Sequence, residues 1–149
     1  MRLEDEIKQS KFKNEFHKAT LNIIFTAAWL NGEHTRFFKK YGISPQQYNI
    51  LRILRGQHPK PATINLLIER MLDKMSNASR LVEKLRLKEF VERCANEKDR
   101  RAVDVVITKK GIDLLTEIDT TSLESIGKIS EEDAVVLNKI LDKFRESKT

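Results

Sequence analysis

Phe12, Phe16, Ala19, Ile23, Ala27, Leu30, Phe37 and Tyr41 recur at steps of three and four, with His34 filling the one gap. A single apolar stripe therefore runs along a helix of about thirty residues. Ile24, Phe25, Ala28 and Trp29 widen the stripe until the middle of the helix leaves little for water. Such a helix must be covered on several sides, by its own domain or by a second chain. Gly42 ends it with the left-handed residue that helix C-termini favour, and "SPQQ" at 44 to 47 opens a second helix, with Ser44 as N-cap, Pro45 at the first position and Gln47 closing a capping box. Tyr48, Ile50, Leu51, Ile53 and Leu54 carry that helix to Gly56, and "GQHPKP" is a loop by its Gly and prolines.

Thr63 caps a short third helix through Leu66, Leu67 and Met71. After a break at "LDKM", Asp73 is the expected cap of a fourth helix, with Ala78, Leu81, Val82 and Leu85 on its buried side. Ser76, Asn77, Ser79, Arg80 and Lys84 face the other way, and every one can donate a hydrogen bond. "FVERC" and "AVDVVIT" are strand-length runs of β-branched and aromatic residues joined by a charged turn, which predicts a hairpin. Thr108 caps a fifth helix through Ile112, Leu115 and Ile118, expected to run on until Gly127 interrupts it. "SEED" at 130 to 133 is a capping box for a last helix through Val136, Ile140 and Phe144. No repeat of fixed period is visible.

Two short helices across a tight break, the second with a polar and basic outer face, followed at once by a hairpin with a cationic tip, describe a winged helix-turn-helix. The fold class expected is mainly α with a small β-hairpin, in one domain spanning 1–149. A helix fits the major groove of DNA, where Arg, Asn and Ser at its exposed N-terminal turns reach base edges and phosphates. Arginines on a thin hairpin enter the adjacent narrow groove, where the negative potential is deepest.

Charge agrees with a polyanionic partner. The chain carries 28 Lys and Arg against 22 Asp and Glu, a net +6, and the segment from Glu69 to Lys110 holds 12 − 8 = +4 of that excess. One cysteine, Cys94, excludes an intramolecular disulfide and fits a reducing compartment. The acidic N-terminus has no apolar core for a signal peptide, and the apolar run at 21 to 30 is about half of a membrane span, so no membrane partner and a cytoplasmic protein are expected. No Gly-rich phosphate loop, paired catalytic acids or nucleophile elbow is present, and no catalytic residue or cofactor is assigned. His17, His34 and His58 are scattered, with no Cys or carboxylate at ligand spacing, which argues against a metal site.

The segment "IERMLDKMSNASRLVEKLRLKEFVERCANEKDRRAVDVVITKKGIDLL" resembles the core of the MarR (multiple antibiotic resistance regulator) family of bacterial transcription factors. The resemblance rests on "RLVxxL" at Arg80 to Leu85, "VER" at Val91 to Arg93, "DxR" at Asp99 and Arg101, and "ITKKG" at 107 to 111, and it extends to the long first helix and "YGISPQQYNIL" at 41 to 51. It implies a homodimer held by helices at about 8–41 and about 109–147, two DNA-reading lobes at about 44–108, and a palindromic operator in double-stranded DNA. It also implies a repressor released by a small, often aromatic or phenolic, ligand between the dimer region and the lobe. Glu89 departs from the family by standing where Gly is usual, and Ile68 stands where a small Ala is usual, which predicts altered local packing.

On that basis Ser76, Asn77, Ser79, Arg80 and Lys84 are candidate DNA contacts of the recognition helix. In the wing, Lys98 and Arg100 are candidate phosphate contacts, and Arg101 is the candidate minor-groove residue, with Asp99 orienting it. A solvated helix face and a solubilising turn are the plain alternatives. Trp29, His34, Phe37 and Phe38 form a candidate ligand pocket, against the plainer reading of His34 as a hydrogen-bonded interface residue. Cys94 reads as an ordinary strand residue rather than a redox sensor. A winged-helix module that binds another protein is the competing function.

Overall fold

The computed structural model describes residues 1–121 and 127–146. Its elements are α1 (Leu3–Glu6), α2 (Glu15–Lys39), α3 (Pro45–Gln57), β1 (Ala62–Thr63), α4 (Ile64–Arg70), α5 (Ala78–Leu87), β2 (Val91–Ala95), β3 (Val103–Ile107), α6 (Lys109–Asp119) and α7 (Glu131–Glu146). Capping chemistry fixes most of the boundaries. Ser44 Oγ accepts from the Gln47 amide at 3.1 Å while Gln47 Oε1 accepts from the Ser44 amide at 2.9 Å, closing the predicted box. The hydroxyls of Thr63, Thr108 and Ser130 accept from the amides of Leu66, Gly111 and Asp133, each at 3.1 Å. Each such cap satisfies an orphan donor and contributes about 1 kcal/mol.

Four expectations are corrected. The long helix has 25 residues and begins at Glu15, because Asn14 caps it by accepting from the His17 amide at 2.8 Å. Phe12 therefore precedes the helix and packs its ring edge-on against His17. The fourth helix begins at Ala78 with Asn77 as its cap, not at Asp73, whose carboxylate instead closes a local turn on the Met75 amide at 3.0 Å. The fifth helix stops at Asp119, well before Gly127, where Thr120 and Thr121 turn their hydroxyls back onto the carbonyls of Glu117 and Ile118, both at 2.6 Å. The hairpin also gains a third strand. β1 pairs with β3 through Ala62↔Val105 and Thr63↔Asp104, giving an antiparallel sheet of order β1-β3-β2.

The core lies between α3, α4, α5, α6 and the sheet, around Ile50, Leu51, Leu67, Val82, Leu85 and Leu115, all 0% exposed. From α2 only Phe38 is buried, and α7 buries no residue at all. Ile68, where altered local packing was expected, lies on the outer side of α4 at 43% exposure and outside the buried core. No helix among the described residues is long and apolar enough to cross a membrane.

At the far N-terminus, Leu3 is buried and Glu4 accepts from Lys18 Nζ on α2 at 2.5 Å. That bond holds the Glu4 carboxyl at about 2, below its ordinary 4.5. A depressed carboxyl pKa stabilises above the unfolded value and loses its effect as pH falls through the folded one. The tie of α1 to α2 is thus complete from about pH 5 upward, and a carboxyl NMR titration of Glu4 should show its midpoint near 2.

Two backbone positions behind the sheet set a further test. A Cβ on Gly111 would lie 2.4 Å from the Phe90 carbonyl oxygen and 2.7 Å from Ile107 Cγ1, neither of which can swing aside. Gly111→Ala should lower stability by about 1 to 3 kcal/mol in denaturant unfolding. Glu89 holds φ +64°, the left-handed region that a glycine adopts freely. Glu89→Gly should raise stability by up to about 1 kcal/mol in the same measurement, the relief of strain exceeding the entropy that glycine adds to the unfolded chain.

Candidate nucleic-acid interface and the cleft behind it

Asn77 Oδ1 accepts from the Arg80 amide at 3.1 Å, so this amide side chain starts the recognition helix α5 instead of projecting from it. Ser76 is half-buried in the turn before the helix. Ser79, Arg80 and Lys84 are exposed, with Ala78, Val82 and Leu85 fixing the opposite face in the core. Arg80 and Lys84, one helical turn apart, project on the same side.

The wing tip is ordered by two short acceptors. Asn96 Oδ1 accepts from the amides of Lys98 and Asp99 at 2.9 and 3.0 Å, while its Nδ2 donates to Asp104 Oδ1 on β3 at 3.0 Å. Asp99 Oδ1 accepts from the Arg101 amide at 2.9 Å. Asp99 therefore organises the arginine through its backbone and leaves the guanidinium unpaired. Lys98, Asp99, Arg100 and Arg101 are all exposed.

The cations of this region divide into two sets. Arg86 pairs with Glu83 at 2.7 Å and Arg93 reaches the same carboxylate at 3.5 Å, tying recognition helix to wing. Those bonds hold the Glu83 carboxyl below its usual range, first through the hydrogen bond from Arg86, and Glu83 in turn pushes the Arg86 guanidinium above its own. Lys88 Nζ donates to the Gly42 carbonyl and Lys110 Nζ to the Lys88 carbonyl at 3.0 Å. Among the described residues, no carboxylate lies within ion-pair distance of Arg80, Lys84, Lys98, Arg100 or Arg101. The cations that hold the fold are paired, and those on the outer face of α5 and at the wing tip are not.

Behind the recognition helix an open cleft of about 660 Å³ lies between α2, α3 and the α4–α5 turn. Its wall includes His34 and Phe38 of the four predicted pocket residues. Phe38 stacks on Tyr48 at 4.3 Å and meets His34 edge-on at 6.1 Å. Phe37 does not line the cleft; its ring meets Phe38 edge-on at 5.1 Å and Tyr41 at 5.6 Å beneath Lys40 Nζ at 4.4 Å, and Trp29 lies outside the cleft at 45% exposure. Sequence reasoning missed the polar side, where Gln46, Asn49 and Arg52 rise from α3 at three-residue spacing to meet Leu72 and Asp73. That spacing, on the edge of α3 opposite the run of Ile50, Leu51 and Leu54, was the available signal.

Cys94 is exposed on β2, and its thiol is pushed above the ordinary range by burial of the sulfur and by the carboxylates of Asp104 and Glu92. A disfavoured thiolate is a poor redox sensor. No group of His, Cys, Asp and Glu among the described residues is placed to hold a metal ion.

Residues 41–102, from the turn after α2 to the wing tip, match the family model of the MarR family. The chain is 28% identical over 127 residues to the HTH-type transcriptional regulator MhqR of Bacillus subtilis, covering 81% of this chain and 86% of that protein. Its fold is similar to that of a MarR-like transcription regulator from Bacillus cereus, with a TM-score of 0.77 at 22% identity, covering 91% of this chain and 99% of the other. A mutant MarR from E. coli, solved complexed with operator DNA, superposes with a TM-score of 0.75 at 18% identity over 91% of this chain and 99% of that one. The MepR–DNA complex of S. aureus gives a TM-score of 0.69 at 18% identity, over 92% and 99% of the two chains.

Proposed function

From the premise that this chain carries the MarR-family winged-helix core on a MarR-type fold, we propose that it is a homodimeric transcriptional regulator that binds double-stranded DNA as two half-sites. The observation that carries this reading is the division of the cations: Arg80, Lys84, Lys98, Arg100 and Arg101 project unpaired from two adjoining elements while their neighbours are held by carboxylates and carbonyls. The recognition helix α5 enters the major groove with Ser79, Arg80 and Lys84 outermost. Arg101 enters the adjacent minor groove, and Lys98 and Arg100 bond phosphates. Asn77 contributes by starting the helix, Ser76 by bracing the turn before it against Asp73, and Asp99 by shaping the wing tip.

Dimerisation follows from what the single chain leaves uncovered. Ile24 and Trp29 on α2 are 61% and 45% exposed, and Val135, Val136, Leu137 and Ile140 on α7 are 64%, 56%, 45% and 57% exposed. An isolated helix of 16 residues with no buried side chain is marginal in water. A second copy laid against α2 and α7 buries both faces and sets two recognition helices on a palindromic operator. The cleft seats a small, mostly apolar ligand, and its occupation favours a spacing of the lobes that misfits the operator, which makes the protein a ligand-released repressor.

Fluorescence anisotropy on a pool of random duplexes tests the DNA reading. Affinity should fall with about one power of salt concentration per neutralised phosphate, and Arg101→Ala should weaken binding at every salt. Absence of binding at low salt, or an affinity that ignores salt, would instead identify a winged-helix module for a protein partner. Sedimentation velocity tests the dimer: Ile140→Glu should convert it to monomer and remove most of the DNA affinity, whereas a monomeric wild type at micromolar concentration would overturn it.

A further inference from the structure

The turn that delivers the chain into the recognition helix is held by polar bonds and not by the core. Met71 and Ala78 at its ends are each 2% exposed, but Leu72 and Met75 between them are 88% and 93% exposed. Apolar burial therefore leaves the path from 72 to 77 undetermined. The Met71 amide makes the last bond of α4, to the Leu67 carbonyl at 2.9 Å. The next donor, the Leu72 amide, crosses to α3 and bonds Asn49 Oδ1 at 2.9 Å. Asp73 then bonds the Met75 amide at 3.0 Å through its side chain and the Ser76 amide at 3.3 Å through its carbonyl. The Met75 amide, the Ser76 hydroxyl and the Gln46 side chain together hold its carboxyl below the ordinary range. Asn77 takes over as helix cap one residue later.

We propose that Asn49 and Asp73 are positioning residues for DNA reading, pinning the α4–α5 turn to α3 and so setting where the recognition helix begins and how Ser79, Arg80 and Lys84 are aimed. The proposal rests on the DNA-binding reading above. Asn49, Gln46, Leu72 and Asp73 all line the cleft, so its contents face the same acceptors that pin the turn. Neither residue carries a positive charge, which separates their contribution from that of the phosphate contacts.

A duplex selected by the wild-type chain from a random library, and a scrambled version of it, provide the test by anisotropy. Asn49→Leu keeps the side-chain size and removes the acceptor, Asp73→Ala removes the turn, and Asp73→Asn keeps an oxygen for the Met75 amide. The first two should each reduce the preference for the selected duplex about tenfold, with the salt slope unchanged, and exchange at the Leu72 amide should accelerate in Asn49→Leu. Asp73→Asn should recover most of the preference. The proposal is overturned if either disruptive variant keeps the wild-type preference, if Asp73→Asn is as defective as Asp73→Ala, or if the loss comes with a lower salt slope. A wild type that enriches no sequence overturns the DNA reading itself, together with this proposal, and that outcome is seen before any variant is made.

Discussion

Ile50 and Leu51 are fully buried and Leu54 is 1% exposed, and this one face of α3 constrains everything around it. Helices α2, α4, α5 and α6 and strand β3 all pack on it, and each fully buried aliphatic side chain contributes about 1.5 to 3 kcal/mol. With that face committed to the core, the remaining edge of the helix is free for polar work. It supplies Gln46 and Asn49 to the turn before the recognition helix, and Arg52 and Arg55 to Asp119 of α6 at 3.7 and 2.7 Å. The helix that carries the core thereby also sets the position of the helix that carries the outward cations.

Elements with a strong local code were legible in the sequence. Ser44, Thr63 and Thr108 mark helix starts because a hydroxyl there has one useful partner, the amide three residues on, and the structure makes all three bonds. Where two local codes competed, the reading slipped. Asp73 and Asn77 are both good caps, and only the packing of Ala78 and Val82 decides that the helix starts at the second. Strand β1 was invisible, since two residues beside prolines carry no alternation and gain their identity from β3, some forty positions away. The cleft was half legible: His34 and Phe38 stand out among aromatics, whereas Asn49 and Asp73 matter through contacts that only the tertiary arrangement creates. Of the site, Arg80, Lys84 and the wing-tip cations were readable as residues, but which cations would be left unpaired depends on where Glu83 comes to lie.

The two ends of the chain follow a different rule from the middle. Between Phe38 and Ile118 one core takes up most of the apolar residues, with Ile68, Leu72, Met75, Leu87 and Val103 left exposed, and an isolated copy of the chain closes it. The apolar faces of α2 and α7 are not consumed, and a pattern of that kind in a sequence says that surface will be covered without saying by what. This is why the long helix reads in the sequence as one that must be covered on several sides.

Glu89 stands at the joint between α5 and β2, and its left-handed backbone turns the chain from one to the other in a single step. Its carbonyl accepts from the Thr108 hydroxyl at 2.7 Å, the Phe90 carbonyl accepts from the Thr108 amide at 3.0 Å, and Glu83 clasps Arg93 across the angle. Helix and wing are therefore tied to each other by three bonds around one turn, like the jaws of a caliper. A caliper measures. A double helix gripped by it would be judged by the offset between its wide and narrow grooves as much as by the bases at either point, so sequences that never touch the protein would still be sorted by how readily they take up that offset.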